Sequence, residues 1–135
     1  EITVTISEVR MLDRGDVPIA GQADLYAVVT IGGEVLKTQR VRNQDRITPN
    51  WTLSKKVAPG NHDIKVQIVD KDIFKPDDQI DINKVAAKRH LDLGINTRNC
   101  RISGFSNGYR CGDAIKRAGE EKKKAEITFS VNVKK

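Results

Sequence analysis

One stretch near the middle of the chain constrains the fold more than any other, because an alternating strand runs directly into an acidic loop. From Ile64 to Ile68 every second residue is apolar, the period-2 pattern of a half-buried β-strand. Asp70 and Asp72 follow two residues apart. Residues so spaced in an extended segment project to the same side, so we expect these two carboxylates to converge.

The chain then turns back on itself within the acidic loop, which we define as residues 70–78. Pro76 and the pair Asp77-Asp78 mark a turn that returns a further carboxylate towards the first two. Clustered carboxylates repel one another unless a cation neutralises them. Calcium is the usual partner, because it takes about six to eight oxygen ligands and tolerates irregular loops. The alternative is that these are turn aspartates that accept hydrogen bonds from their own backbone.

The pattern Asp-x-Asp-x5-Asp after an alternating strand resembles the third calcium-binding loop of C2 domains. A second segment resembles their first loop and the strand that follows it: Asp16, then Gly-Gln-Ala-Asp-Leu-Tyr from Gly21, leading to Ile31. Two departures stand out, since Leu25 replaces a common proline and Asp16 lies two residues further from Asp24 than is usual. Pro49-Asn-Trp51 resembles the start of the matching C2 strand.

The resemblance implies a Ca²⁺ site made by the first and third loops, which would lie side by side at one end. Its ligands would be Asp16, Asp24, Asp70, Asp72 and Asp78. Asp70 and Asp24 lie at strand ends and are the best-anchored candidates to bridge two ions. Asp77 is an alternative to Asp78, and Asp13 an alternative to Asp16.

The tip of the acidic loop carries apolar residues next to lysines. The candidate membrane-contact residues are Ile73, Phe74, Lys71 and Lys75. In the C2 interpretation an apolar tip enters a bilayer once calcium neutralises the carboxylates, and the lysines favour anionic headgroups. The alternative is that Phe74 packs beneath its own loop.

Alternating patterns at both ends of the chain predict one all-β domain over residues 1–135. Ile2, Val4 and Ile6 are expected to face inward, as are alternate residues from Ile127 to Val133. Turn signals elsewhere predict an antiparallel, eight-stranded, C2-like β-sandwich. The chain starts in the strand before the first loop, which implies the circularly permuted C2 topology.

Residues 84–124 depart from the family pattern and are expected to form an atypical, loop-rich region before the last strand, with short strand pieces at 91–93 and 101–103. Within it, Asp113 followed by helix-forming residues indicates either a short helix or a charged loop, since Gly119 interrupts the run.

Cys100 and Cys111 flank a turn-rich stretch and are the only two cysteines. Their close spacing favours one disulfide that closes a short loop, and the alternatives are a pair of free thiols or a metal site. A disulfide implies an oxidising compartment, so an extracellular or otherwise extracytoplasmic location is expected, with peripheral attachment to a membrane.

The formal net charge of +6 is spread over several small basic clusters, among them Lys122-Lys123-Lys124. Solvated surface is the plainest interpretation, and attraction to anionic lipid or to nucleic acid is the sharper one. Aromatic residues rarely accompany these clusters, so no nucleic-acid partner is expected. No motif of a nucleophile elbow or a zinc protease is present, and no enzymatic activity is expected.

The sequence therefore predicts a monomeric calcium-binding module that attaches to an anionic phospholipid surface. The alternative is an extracellular structural or interaction domain, such as an accessory domain of a larger secreted protein, in which calcium only stabilises the loops and the partner is a protein. A third alternative is a calcium-independent sandwich that binds a protein through its basic surface.

Overall fold

The computed structural model describes residues 1–13, 23–72 and 74–134, and these residues form strands and no helix. No helix capable of crossing a membrane therefore occurs among them. The strands, in chain order, are β1 (Ile2–Met11), β2 (Leu25–Ile31), β3 (Glu34–Lys37), β4 (Arg46–Ile47), β5 (Trp51–Lys55), β6 (Asn61–Asp70), β7 (Asp78–Ile80), β8 (Leu91–Asn96), β9 (Arg101–Ser103), β10 (Tyr109–Arg110), β11 (Ile115–Ala118) and β12 (Ala125–Val133).

The strands form two antiparallel sheets, and the prediction of an all-β sandwich is confirmed. One sheet has the order β11-β12-β1-β4, with β5 also paired to β1. The other has the order β10-β9-β8-β6-β2-β3, with β7 paired to β6. The predicted count of eight strands is too low for the described residues, because short segments such as β4 and β10 are separate strands.

The core lies between the two sheets and is built from the alternating apolar residues. Ile2, Val4 and Ile6 are fully buried, as predicted, and Phe129 is among the largest fully buried side chains. Val133, which the pattern placed inward, is only half-buried at the end of β12. Full burial of one such side chain contributes roughly 1.5–3 kcal/mol, so the period-2 pattern is the main determinant of the sandwich.

A β-bulge lets β1 extend further than its first alternating residues suggest. The register with β12 shifts between Ile6 and Glu8. After the extra residue Ser7, burial moves to the odd-numbered position Val9, which is fully inside. The strand consequently reaches Met11, at the end of the sandwich where the first loop begins.

The atypical region contains a strand, β11, where a short helix or a charged loop was expected. Neither a helix nor a loop forms at 115–118, because Ile115 is fully buried and pairs with Phe129 along the edge of β12. Burial in the sheet thus outweighs the weak helix propensity of this segment. The segment 82–90, by contrast, is an irregular connection.

The disulfide expected from the cysteine spacing is present between Cys100 and Cys111. The two residues flank the β9–β10 hairpin, and the backbone N–H of Cys111 donates to the carbonyl oxygen of Cys100 at 3.0 Å. The bridge therefore crosslinks the two ends of a short hairpin at the edge of its sheet.

Candidate functional site

Three antiparallel strands bring acidic residues to one end of the sandwich, which we call the loop end. β6 finishes at Asp70, which pairs with Leu25 at the start of β2 and with Asp78 at the start of β7. Asp24 directly precedes β2, and its backbone N–H donates to Asp70 Oδ1 at 2.9 Å. The strand register therefore brings together residues from two distant parts of the sequence.

A lysine from a third part of the chain occupies the space between two of these carboxylates. Lys123 Nζ lies 3.2 Å from Asp70 Oδ2 and 2.5 Å from Asp78 Oδ2. Only 21% of the Lys123 side chain is exposed. The interpretation of the Lys122–Lys124 run as solvated surface is therefore wrong for Lys123. The triple-lysine cluster was visible in the sequence, but nothing in it indicated which carboxylates it would meet.

The contact shifts the pKa values of both Lys123 and Asp78. Partial burial by itself lowers the pKa of Lys123, but the hydrogen bond to Asp78 and the charge of Asp70 outweigh burial and raise that pKa above its usual value. The hydrogen bond from Lys123 lowers the pKa of Asp78 despite partial burial, with help from the charge of Lys75. Lys123 and Asp78 therefore each stabilise the ionised form of the other.

Lys123 is presented by a clamped turn, the lysine segment, defined as residues 119–124. The carboxylate of Asp81, only 1% exposed, accepts backbone N–H bonds from Glu120 and Glu121 at 3.2 and 2.9 Å. The backbone N–H of Asp81 donates to the carbonyl oxygen of Lys123 at 2.9 Å. Arg89 donates to the carbonyl oxygens of Lys122 and Lys123. Asp81 and Arg89, which hold the backbone of this turn, are not candidate calcium ligands.

Gly119 is required where the lysine segment crosses Asp81. A Cβ atom at this position would clash with the backbone carbonyl of Asp81. The glycine that interrupts the helix-like sequence pattern therefore allows the two backbones to approach closely.

Two further aspartates of the acidic loop bind their own backbone, as the turn interpretation proposed. Asp72 Oδ1 accepts from the N–H of Phe74 at 2.8 Å, and Asp77 Oδ1 accepts from the N–H of Asp72 at 3.0 Å. Asp77 Oδ2 also accepts from the hydroxyl of Tyr26 at 2.7 Å. The N–H of Asp72 and the hydroxyl of Tyr26 hold the pKa of Asp77 below its usual range. Burial and this hydrogen bond raise the pKa of Tyr26 to about 12.

The remaining candidates have different positions. Asp16 and Ile73 lie outside the described residues. Asp13, the alternative to Asp16, accepts a hydrogen bond at Oδ1 from the N–H of Lys124 at 2.8 Å, so it also helps to hold the lysine segment. Asp24 Oδ1 accepts from the N–H of Asn43 at 2.6 Å.

The donor set has the chemistry that calcium prefers, since all candidates are carboxylates at strand ends and in loops. Across 1–13, 23–72 and 74–134, however, no three His, Cys, Asp or Glu side chains are grouped closely enough to hold a metal ion. Asp70 and Asp78 instead hold the ammonium of Lys123. The residue types fit calcium, and the arrangement present is that of a carboxylate pair neutralised by an internal cation.

The tip of the acidic loop is exposed. Phe74 is 91% accessible, so the alternative that it packs beneath its own loop is wrong. Lys71 Nζ lies 4.0 Å from Asp77, and Lys75 Nζ lies 3.6 Å from Asp78 and 3.9 Å from Asp72. The loop end therefore combines an exposed aromatic ring, several ammonium groups and a carboxylate cluster.

Comparison with known protein families decides what this architecture is. The family model described as the C2 domain matches residues 1–96, more than two thirds of the chain. The chain belongs to the C2 domain family. Residues 97–134, which contain the whole β9–β10 hairpin with its disulfide and also β11 and β12, lie beyond that match.

Solved structures support the same fold. A protein described as a C2 domain is 16% identical, with a TM-score of 0.60 over 98% of this chain and 97% of the other. A calcium-bound pair of C2 domains from extended synaptotagmin 2 gives a TM-score of 0.62 at 13% identity, over 97% of this chain and 44% of the other. At such low identity the likeness concerns the fold alone.

A human group IVD cytosolic phospholipase A2 also matches, with a TM-score of 0.58 and 14% identity over 98% of this chain. The chain spans only 17% of the length of that enzyme. No curated protein matches the sequence. C2 domains are typically non-catalytic modules that bind lipids or proteins, and many do so at membranes in a calcium-dependent manner.

Proposed function

We propose that this C2 domain is an attachment module whose loop end binds an anionic phospholipid surface in response to calcium. The observation that carries the proposal is the exposed Phe74, flanked by Lys71 and Lys75 and adjoining the carboxylates of Asp72 and Asp78. An isolated exposed aromatic ring at a loop tip has little value for folding, but it is suited to insertion between lipid headgroups.

The tip by itself would bind weakly. Burial of the Phe74 ring is worth about 2 kcal/mol, and each lysine near an anionic surface about 1 kcal/mol. Their sum of about 4 kcal/mol corresponds to a dissociation constant of about 1 mM. Because Lys71 and Lys75 already face carboxylates, this sum is an upper value, and attachment needs a further contribution.

The charge balance of the loop end supports calcium as that contribution. The acidic loop and its surroundings carry the five carboxylates Asp24, Asp70, Asp72, Asp77 and Asp78 and the three ammonium groups of Lys71, Lys75 and Lys123. These eight side chains have an excess of two negative charges, which repels an anionic surface. A bound Ca²⁺ would neutralise that excess and offer a hard cation to phosphate oxygens. We propose Asp16, Asp24, Asp70, Asp72 and Asp78 as its ligands.

Vesicle sedimentation tests the membrane partner. We expect the chain to pellet with phosphatidylserine-containing vesicles in calcium, and to stay in solution with pure phosphatidylcholine or with chelator. Phe74→Ala should weaken binding roughly tenfold or more. The matched control is Val35→Ala, which shortens an exposed side chain on β3 that is 58% accessible. Pelleting that ignores calcium, or equal loss in both variants, would contradict the proposal.

A thermal melt tests the calcium site separately. A ligand at a hundredfold excess over its dissociation constant stabilises the folded state by about 2.7 kcal/mol. We expect calcium to raise the melting temperature of the wild-type chain, and this rise to vanish in the double variant Asp70→Asn, Asp72→Asn. An unchanged melting temperature at millimolar calcium would remove calcium from the proposal.

The Cys100–Cys111 disulfide favours a second candidate function. Disulfides persist in oxidising compartments, so we also propose an extracytoplasmic location. There the domain would be a structural or interaction unit in which calcium only stabilises the loops. Calcium-dependent thermal stabilisation without any vesicle binding would support this second function over the first.

A further inference from the structure

We propose that Lys123 is an internal competitor of calcium, and that its departure from Asp70 and Asp78 sets the calcium concentration to which the domain responds. This inference rests on the proposed function, because it concerns the regulation of the same site. It adds to that function a residue outside both calcium-binding loops and outside the segment that matches the C2 family.

The geometry makes the two cations mutually exclusive. Lys123 Nζ approaches Oδ2 of both Asp70 and Asp78 within hydrogen-bonding distance. Calcium binds carboxylate oxygens at about 2.3–2.6 Å, so an ion on the same two oxygens would lie almost in contact with the ammonium. Two positive charges at that separation repel strongly. The ammonium must therefore leave before these oxygens are available.

The position of Lys123 is built into the fold and is not that of a freely moving surface lysine. The carbonyl of the residue is bonded to Asp81 and Arg89, and the neighbouring N–H of Lys124 is bonded to Asp13. The backbone of Lys123 also adopts a positive φ of 60°, which a non-glycine residue adopts only when its surroundings impose it. Asp81 and Arg89 therefore aim the side chain at the acidic pair.

The anchors of the lysine segment are separate from the residues that the ammonium touches. Asp81 is buried and binds the backbone of the segment, whereas Asp70 and Asp78 lie at the loop end and contact the ammonium of Lys123. The Lys123 side chain can consequently rotate away while the turn stays in place. Once released, its ammonium would remain at the loop end and add a positive charge to the surface that faces anionic lipid.

Calcium titration by calorimetry tests the competition. The probe is calcium chloride added to the wild-type chain, to Lys123→Gln and to Lys56→Gln. The last variant is the matched control, because it removes the same charge from an exposed residue just after β5, at the opposite end of the sandwich. We expect Lys123→Gln to bind calcium roughly 10- to 100-fold more tightly, and Lys56→Gln to match the wild type. Lys123→Arg, which keeps the positive charge, should stay close to the wild type.

Lysine acylation followed by mass spectrometry gives a second test. If Lys123 had a purely structural role, calcium would not change its rate of labelling. In chelator, Lys123 should react slowly with an amine-reactive ester, and calcium should accelerate its labelling several-fold. Labelling of Lys56 should not respond to calcium. Melting in chelator shows whether Lys123→Gln is folded, and the labelling of the wild-type chain tests the proposal without any variant.

The outcomes separate this inference from the function on which it rests. Tighter calcium binding by Lys123→Gln together with faster labelling supports the competition. If the wild type and Lys123→Gln bind calcium equally well, calcium binding stands and the competition is overturned. If neither the wild type nor Lys123→Gln binds calcium, the proposed calcium site and the proposed competition are both wrong.

Discussion

Replacing the buried Asp81 by alanine should destabilise this domain strongly and release the lysine segment. The carboxylate accepts three backbone N–H groups: from Asn83 at 3.0 Å, Glu120 at 3.2 Å and Glu121 at 2.9 Å. Hydrogen bonds to a charged group contribute roughly 1.5–3 kcal/mol each, which gives an upper sum of about 5–9 kcal/mol. Glu120 and Glu121 have exposed side chains, so water can satisfy part of what is lost.

After that discount we expect Asp81→Ala to lower the free energy of unfolding by about 3–5 kcal/mol, the usual cost of breaking a buried charged network. For a domain of this size the loss corresponds to a melting temperature lower by roughly 10–18 °C. Chemical denaturation and calorimetry measure both quantities. Asp63→Ala is the matched control, because Asp63 is an exposed aspartate on the neighbouring β6.

The local consequence is separately measurable. Amide hydrogen exchange at Glu120 and Glu121 should accelerate in Asp81→Ala, and Lys123 should become more reactive to acylation in chelator. If Asp81→Ala loses less than about 1 kcal/mol, or no more than Asp63→Ala, then Asp81 does not hold the lysine segment by these hydrogen bonds, and this explanation of the position of Lys123 is wrong.

Three further outcomes are expected. Replacing Cys100 and Cys111 by serine should lower the free energy of unfolding, measured with denaturant, by about 3 kcal/mol, because the disulfide closes a loop with a separation of 11 residues. Equal stability of the reduced and oxidised wild type would contradict this. Lys123 lowers the pKa of Asp78, so this carboxylate stabilises the fold above its unfolded pKa of about 3.9, and the contribution disappears as the pH falls through the lower folded value. Asp78→Asn should accordingly flatten the loss of stability in acid, and an unchanged acid limb would refute the linkage. Tyr26 should ionise at about 12 in an ultraviolet absorbance titration, and a single unshifted tyrosine transition in both the wild type and Tyr26→Phe would show that its bond to Asp77 does not persist.

Much of the sandwich could be predicted from local patterns in the sequence. Alternation from Ile2 to Ile6 and from Ile64 to Ile68 identified β1 and β6 and their inward faces, because the side-chain period of a strand is two and burial of one face is its main source of stability. The region before the last strand was harder to predict. Four residues around Ile115 look helical or irregular in isolation, and they form β11 only because the edge of β12 offers them hydrogen bonds and a buried site.

The sequence by itself determined which residues of this protein are available for a cation site. The pattern of Asp70, Asp72 and Asp78 after an alternating strand is local, so the strand geometry alone brings the carboxylates to one end. Only the tertiary structure decided which side chain contacts these carboxylates. Lys123 is 45 residues from Asp78 in the chain, and Asp81 is 39 and 40 residues from the two N–H groups that it binds. Such contacts depend on how distant strands pack and on a glycine that lets two backbones touch, and no local sequence pattern records either.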